Sequence, residues 1–186
     1  MRKLVVFNMV TLDGFFVDSK GDMSWAHKHD DEWNTFVSGN ASGNGVLVFG
    51  RITYDLMASY WPTPMAHQNL PEVAKGMNAM PKIVFSRSLD RVTWNNTTLL
   101  KGDLASEVRR LKNEPGPDMV ILGSGSIVSQ LTEQKLIDEY QIALTATVLG
   151  TGRTMFETVK ERLNFKLTSS RTFKNGNVFL CYQPQV

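Results

Sequence analysis

The stretch VFGRITYD, residues 48–55, ends one structural element and begins another. The apolar run of residues 46–49 leads directly into Gly50, and residues 52–60 then show a helical pattern. A short apolar run that passes through a glycine into a helix is typical of a buried strand and its crossover helix in a parallel sheet. The stretch therefore predicts a βα unit of an α/β protein.

Arg51 lies at an unexpected place in this unit, because the amino-terminal end of a helix dipole is positive and disfavours a cation. Two interpretations stay open. With Thr53 and the free N–H groups of the helix end, the guanidinium would form a phosphate site. Alternatively, Arg51 is an ordinary solvated side chain.

The same alternation of apolar runs and helical patterns continues along the chain. Strands are predicted over residues 4–10, 45–49, 82–86, 119–122 and 140–149. Helices are predicted over residues 30–37, after an N-cap at Asp103, and from Ile127. Residues 62–81 contain four prolines and are expected to run over the surface, with a short helix after Pro71.

The carboxyl-terminal part of the chain has a different pattern, since Asn175-Gly176 separates two strand-like runs and predicts an antiparallel hairpin. The predicted fold class is therefore a three-layer α/β/α domain over residues 1–186. Its sheet is mainly parallel, is covered by helices on both faces, and closes with a C-terminal antiparallel hairpin.

The composition excludes several classes of protein. A net charge of +2 lacks the basic footprint of a nucleic-acid-binding domain. The single cysteine, Cys181, excludes an internal disulfide and multi-cysteine zinc sites, and the three histidines have no cysteine or carboxylate cluster beside them, so no metal site is expected. The apolar stretch before Asp13 is too short for a signal peptide or a membrane span, so a cytoplasmic protein without a membrane partner is expected.

Polar and glycine-rich segments follow three of the predicted strands, and the carboxyl ends of parallel strands are where ligands bind. They are Gly50-Arg51-Ile52-Thr53, Ser86-Arg87 and Gly123-Ser124-Gly125-Ser126. The last segment suits a diphosphate at a helix N-terminus, and the guanidinium groups suit a separate phosphate. NADPH is the common molecule of that description. A Rossmann domain is not expected, because Val128 stands where the third glycine of its fingerprint would fall.

The order of these segments, together with the loop ending in Met23-Ser24-Trp25, resembles dihydrofolate reductase. Two further segments are similar to the reductase domain of the bifunctional riboflavin-biosynthesis deaminase–reductase. They are Thr11-Leu12-Asp13-Gly14 and LIDEYQIALTATVLGTGRTMF, residues 136–156. The zinc ligands of the deaminase half have no counterpart in these 186 residues, so only the reductase step is expected.

The resemblance implies the dihydrofolate-reductase fold, NADPH as cofactor, and hydride transfer to a small pterin- or pyrimidine-like heteroaromatic substrate. Arg51, Ser86 and Arg87 would surround the adenosine 2′-phosphate. The remaining implied contacts are Gly50 and Thr53 at the phosphates, Gly123, Ser124, Gly125 and Ser126 at the diphosphate, Met9 and Phe16 near the nicotinamide, and Asp13 and Trp25 at the substrate.

The substrate is less well specified than the chemistry, because the first helix, HKHDDEWNTF, lacks the arginine-bearing pattern of the riboflavin enzymes. The most similar activity is 5-amino-6-(5-phosphoribosylamino)uracil reductase. Dihydrofolate reductase activity is one alternative, and a non-catalytic nucleotide- or pterin-binding module is another. Asp30, five residues after Trp25, is either the proton donor or a helix N-cap. A homodimer through residues 140–149 is also expected, since that run is apolar on both faces and the similar reductases pair there.

Overall fold

The computed structural model describes residues 1–26, 30–41 and 44–185. Its strands are β1 Leu4–Thr11, β2 Val46–Gly50, β3 Lys82–Phe85, β4 Thr97–Leu100, β5 Met119–Leu122, β6 Glu139–Thr145, β7 Phe165–Thr172 and β8 Val178–Pro184. Its α-helices are α1 Asp31–Ala41, α2 Arg51–Tyr60, α3 Pro64–Asn69, α4 Pro71–Ala79, α5 Leu104–Asn113 and α6 Gly125–Glu133, and a 3₁₀ turn covers Ser24–Ala26. No helix of this described part is long and apolar enough to cross a membrane.

All eight strands form one sheet in the order β4-β3-β2-β5-β1-β6-β8-β7. The pairings from β4 across to β6 are parallel, whereas β8 runs antiparallel to both β6 and β7. The β7–β8 turn contains Asn175-Gly176, and Gly176 has the positive φ of 88° that this turn requires. The predicted mainly parallel sheet with a C-terminal antiparallel hairpin is confirmed.

The sheet is covered on both faces because its central strands are apolar on both sides. In β2, Val46 and Val48 pack with α5 and α6, while Leu47 and Phe49 pack on the opposite face. That second face is covered by α4 near β3 and by α1 near β6 and β8. Strands buried on two faces read as continuous apolar runs, which is why they were visible in the sequence.

The prediction that residues 62–81 run over the surface is wrong, whereas the short helix predicted after Pro71 is confirmed. They form α3 and α4, and α4 buries Val73, Ala74 and Met77 in the core. The prolines mislead here because Pro64 and Pro71 stand in the first turns of these two helices, where a missing N–H costs nothing.

Two strand predictions also need correction. Strand β4 was not predicted, because its four residues, TTLL, lie at the sheet edge and are only partly buried. The strand predicted over residues 140–149 ends at Thr145. Beyond it the backbone turns to meet the loop after β1, where the Leu12 N–H donates to the Thr147 carbonyl at 2.9 Å.

Candidate functional site

The candidate site lies where two helices begin side by side. Strands β2 and β5 are paired in parallel, α2 starts directly after β2, and α6 starts after the Gly123-Ser124 turn that follows β5. Neither helix has a side-chain N-cap. No side chain therefore caps their first turns, although the Ile127 N–H of α6 already donates to the Ser124 carbonyl at 2.9 Å. Both positive dipole ends lie at the same sheet edge, which is an arrangement suited to an anion.

The two helix ends are fastened to each other by hydroxyl groups. The Ser124 N–H donates to Thr53 Oγ1 at 3.0 Å, and the Gly50 N–H donates to Ser124 Oγ at 2.8 Å. Thr53 and Ser124, which the sequence indicated as phosphate ligands, thus hold the site together. Each hydroxyl keeps its own proton for a further acceptor, so their contact with a phosphate stays a prediction.

The glycine-rich turn has the close backbone packing that its sequence suggests, but a protein side chain occupies that space. Gly123 has φ 61°, and a Cβ on Gly125 would lie 2.5 Å from Phe16 Cζ. Phe16 is buried against this turn, at the predicted diphosphate position. Ser126 is exposed in the first turn of α6, as a ligand at that helix end requires.

Three cations follow the neighbouring strands β2, β3 and β4. Arg51 comes one residue after the register pair Gly50 and Phe85, and Ser86-Arg87 follows Phe85. Ser86 Oγ accepts the N–H groups of Ser88 and Leu89 at 3.2 and 3.0 Å, so this hydroxyl caps the turn that presents Arg87.

Lys101 is the cation that sequence reasoning missed. The Ser86 N–H donates to the Leu100 carbonyl at 3.1 Å, which places the exposed Lys101 beside the Ser86-Arg87 turn. Only the recognition of β4 as a strand could have indicated it.

Electrostatics at this edge are those of an exposed basic surface with acidic neighbours. The Arg51 guanidinium, 48% exposed, lies 3.4 Å from the carboxylate of Asp55 one turn later. Asp103 is a second acidic neighbour. Hydrogen bonds from Ser106 hold the pKa of its carboxyl below the ordinary value, and the positive charge of Arg87 adds to that effect. The basic edge is therefore partly neutralised by its own helices.

Met9 was predicted to lie near the nicotinamide and Trp25 at the substrate. Met9 is half-buried in β1 and packs on the face covered by α1. Trp25 is half-buried in the 3₁₀ turn, and its indole N–H is buried without a hydrogen-bond partner among the described residues. An unpaired buried donor costs free energy, so this N–H is a candidate contact for a substrate acceptor.

Asp13 has a structural task. Its carboxylate accepts the Thr11 hydroxyl at 2.6 Å and the N–H groups of Leu149 and Gly150 at 3.1 and 2.8 Å. The Thr11 hydrogen bond is the largest cause that lowers the pKa of Asp13. The side chain therefore joins the loop after β1 to the loop after β6, and its predicted substrate contact stays a prediction.

Asp30 is the N-cap of α1. Its Oδ1 accepts the Trp33 N–H at 2.7 Å, and its carbonyl accepts the Asn34 N–H at 2.8 Å. The helix-cap interpretation is thus confirmed, while the role as proton donor remains a prediction. His27 and His29 lie outside the described residues.

Asn8 is a second residue that sequence reasoning missed. It is 3% exposed in β1, and its side chain hydrogen-bonds to both backbone groups of Gly123. The available signal was a single carboxamide inside the apolar strand LVVFNMVT.

The uncharacterised protein YyaP of Bacillus subtilis (strain 168) is similar in sequence to this chain. The two are 29% identical over 181 residues, which cover 97% of this chain and 94% of YyaP.

Solved structures share the fold. A putative riboflavin biosynthesis protein from Shewanella sp. PV-4 matches with a TM-score of 0.77 and 22% identity over 99% of both chains. The diaminohydroxyphosphoribosylaminopyrimidine deaminase/5-amino-6-(5-phosphoribosylamino)uracil reductase of Thermotoga maritima matches with a TM-score of 0.68 and 14% identity, over 99% of this chain and 57% of that one. Dihydrofolate reductase from Enterococcus faecalis matches with a TM-score of 0.66 and 13% identity, over 99% of this chain and 97% of that one.

These likenesses confirm the dihydrofolate-reductase-like fold that the order of the motifs predicted. A sequence family also matches nearly the whole chain. Residues 2–179 match the RibD C-terminal domain, and the chain belongs to that family.

Proposed function

We propose that this protein is an NADPH-dependent reductase that transfers hydride to a pyrimidine- or pterin-like substrate. Its activity would be most like that of 5-amino-6-(5-phosphoribosylamino)uracil reductase. The family and the fold support a reductase-type function. The observation that carries the cofactor assignment is the pair of adjacent helix N-termini, α2 and α6, beside three cations at neighbouring strand ends.

The diphosphate and the 2′-phosphate of NADPH would lie at two separate places. The diphosphate would lie at the first turn of α6, against the N–H group of the exposed Ser126 and beside the Phe16 ring that packs on Gly125. The 2′-phosphate would lie at the basic edge, with Arg51 and Arg87 as donors and Lys101 as a further positive charge. When bound, NADPH supplies the hydride, and the protein's own groups bind and orient the reactants.

The substrate would lie beside β1, on the face where Met9 and α1 meet. The unpaired indole N–H of Trp25 would donate to a ring acceptor, and this contact would orient the heterocycle. If Asp30 acts only as this cap, a ribosylaminopyrimidine is favoured over dihydrofolate, because the opened sugar of the former accepts hydride with a proton from water or from the substrate itself.

The second half of the proposal is a homodimer through the β6–β8–β7 part of the sheet. On the face of the sheet that α5 and α6 cover elsewhere, β6 and β8 carry half-buried apolar side chains. An exposed leucine on β7 continues this apolar surface. These residues are Ile142, Leu144, Leu180, Tyr182 and, 47% exposed, Leu167. A second copy of the chain would remove this apolar area from water.

Two measurements on the wild-type protein test the function. A nicotinamide fluorescence titration with NADPH and NADH decides whether the fold binds a cofactor and which one it prefers. Turnover with NADPH and a panel of aminouracil, dihydropterin and dihydrofolate substrates then separates an enzyme from a binding module. Absence of NADPH binding would refute the cofactor assignment. Tight binding without turnover of any substrate would favour the non-catalytic module.

A further inference from the structure

Asn8 is a buried carboxamide in the middle of an apolar strand. Its neighbours on the same face of β1, Val6 and Val10, are buried in the core between the sheet and helices α5 and α6. A carboxamide at such a position costs free energy unless its donor and acceptor are both paired. Its partners therefore indicate why it is tolerated there.

Both polar ends of Asn8 bind one residue of the glycine-rich turn. The Gly123 N–H donates to Asn8 Oδ1 at 2.8 Å, while Asn8 Nδ2 donates to the Gly123 carbonyl at 3.3 Å and lies 2.9 Å from Met155 Sδ. The last main-chain pair between β1 and β5 is Phe7 with Leu122, one residue earlier. The Asn8 side chain thus replaces the strand ladder at the point where the chain leaves β5.

The turn that Asn8 holds is conformationally unusual. Gly123 and Ser124 are both left-handed, with φ of 61° and 56°, and this region costs a residue with a side chain roughly 1–2 kcal/mol. Three side chains from three parts of the chain maintain it by accepting backbone N–H groups. Asn8 accepts the Gly123 N–H, Thr53 accepts the Ser124 N–H, and the Ser124 hydroxyl accepts the Gly50 N–H. Such an over-determined conformation is typical of functional sites.

We propose that Asn8 is a positioning residue for cofactor binding. By holding Gly123 in the left-handed conformation, it sets the direction in which the first N–H groups of α6 point before any ligand arrives. This inference rests on the proposed function, since those N–H groups are the ones assigned to the diphosphate. The diphosphate is common to NADPH and NADH, so Asn8 supports the binding of both cofactors equally and takes no part in the choice between them.

The test is Asn8→Leu, a variant of similar size that removes both hydrogen bonds to Gly123. Dissociation constants for NADPH and NADH are measured by nicotinamide fluorescence. We expect both to rise by about the same factor, on the order of 10-fold, with an unchanged ratio between them. Asn8→Asp keeps an acceptor for the Gly123 N–H but sets an oxygen against the Gly123 carbonyl. It serves as the second variant if Asn8→Leu does not fold, and the same parallel loss is expected.

The matched control is Tyr140→Phe, which removes another buried hydrogen bond, from the Tyr140 hydroxyl to Thr132 Oγ1 at 2.9 Å. It should lower the melting temperature and leave both dissociation constants unchanged. The inference is overturned if the Asn8 variants lose stability as this control does but bind both cofactors with wild-type affinity. A loss confined to NADPH would also overturn it. If the wild-type protein binds neither cofactor, the proposed function fails together with the inference, whereas wild-type binding with unaffected variants refutes the inference alone.

Discussion

The Arg51→Ala substitution is the most direct test of the basic edge. Arg51 would donate a charge-assisted hydrogen bond to the 2′-phosphate, an interaction worth about 1.5–3 kcal/mol. In the free protein its guanidinium already lies 3.4 Å from the Asp55 carboxylate, and both side chains are about half exposed. An exposed i,i+4 ion pair is worth about 0.3–0.5 kcal/mol, which cofactor binding would have to offset.

The expected net loss on Arg51→Ala is therefore about 1–2.5 kcal/mol, or roughly a 5- to 70-fold weaker NADPH complex. NADH lacks the 2′-phosphate and should bind almost as it does to the wild type. The assay is a fluorescence titration with both cofactors at one fixed ionic strength, because salt screens an exposed contact of this kind.

Asp55→Asn is the matched control for this experiment. It removes the competing carboxylate and leaves Arg51 in place, so NADPH should bind at least as tightly as to the wild type. Equal losses for NADPH and NADH in Arg51→Ala would show that Arg51 supports the helix and not the phosphate. Unchanged binding of both cofactors would show that Arg51 is an ordinary solvated side chain.

Three further predictions concern other parts of the molecule. If Asp30 is the proton donor as well as the cap of α1, Asp30→Asn should reduce turnover by roughly 100-fold or more with cofactor affinity intact; turnover that survives while the melting temperature falls would leave it a cap alone. Light scattering at micromolar concentration should give twice the 20.9 kDa chain mass, and Leu180→Glu should shift that mass toward the monomer; a wild-type monomer would refute the dimer. Burial lowers the pKa of Lys82 from 10.5 to about 8, so the folded protein loses this proton before the unfolded chain does. The free energy of unfolding should then gain a favourable contribution as the pH rises from about 8 to 10, and Lys82→Met should remove that contribution in pH-dependent melts.

Local patterns were sufficient to predict most of the fold. The buried parallel strands appear as continuous apolar runs, and the Asp103 cap and the Asn175-Gly176 turn are decided by residues within a few positions of each other. Strand β4 was missed for the same reason, because a short edge strand has no apolar run by which to recognise it. The candidate site was predictable to the level of strand ends, since each segment that could bind an anion follows its strand directly.

The sequence by itself therefore determined the α/β class, the order of the buried strands along the chain and the strand ends that carry the candidate site. Only the tertiary structure decided what the individual side chains do there. Asn8 meets Gly123 across 115 residues, Ser124 meets Gly50 across 74, and Asp13 meets Gly150 across 137. The physical reason is that a hydroxyl, a carboxamide or a carboxylate can serve a phosphate or a backbone N–H equally well. Which of the two it serves depends on the groups that the sheet topology brings within 3 Å, and no spacing along the chain encodes that distance.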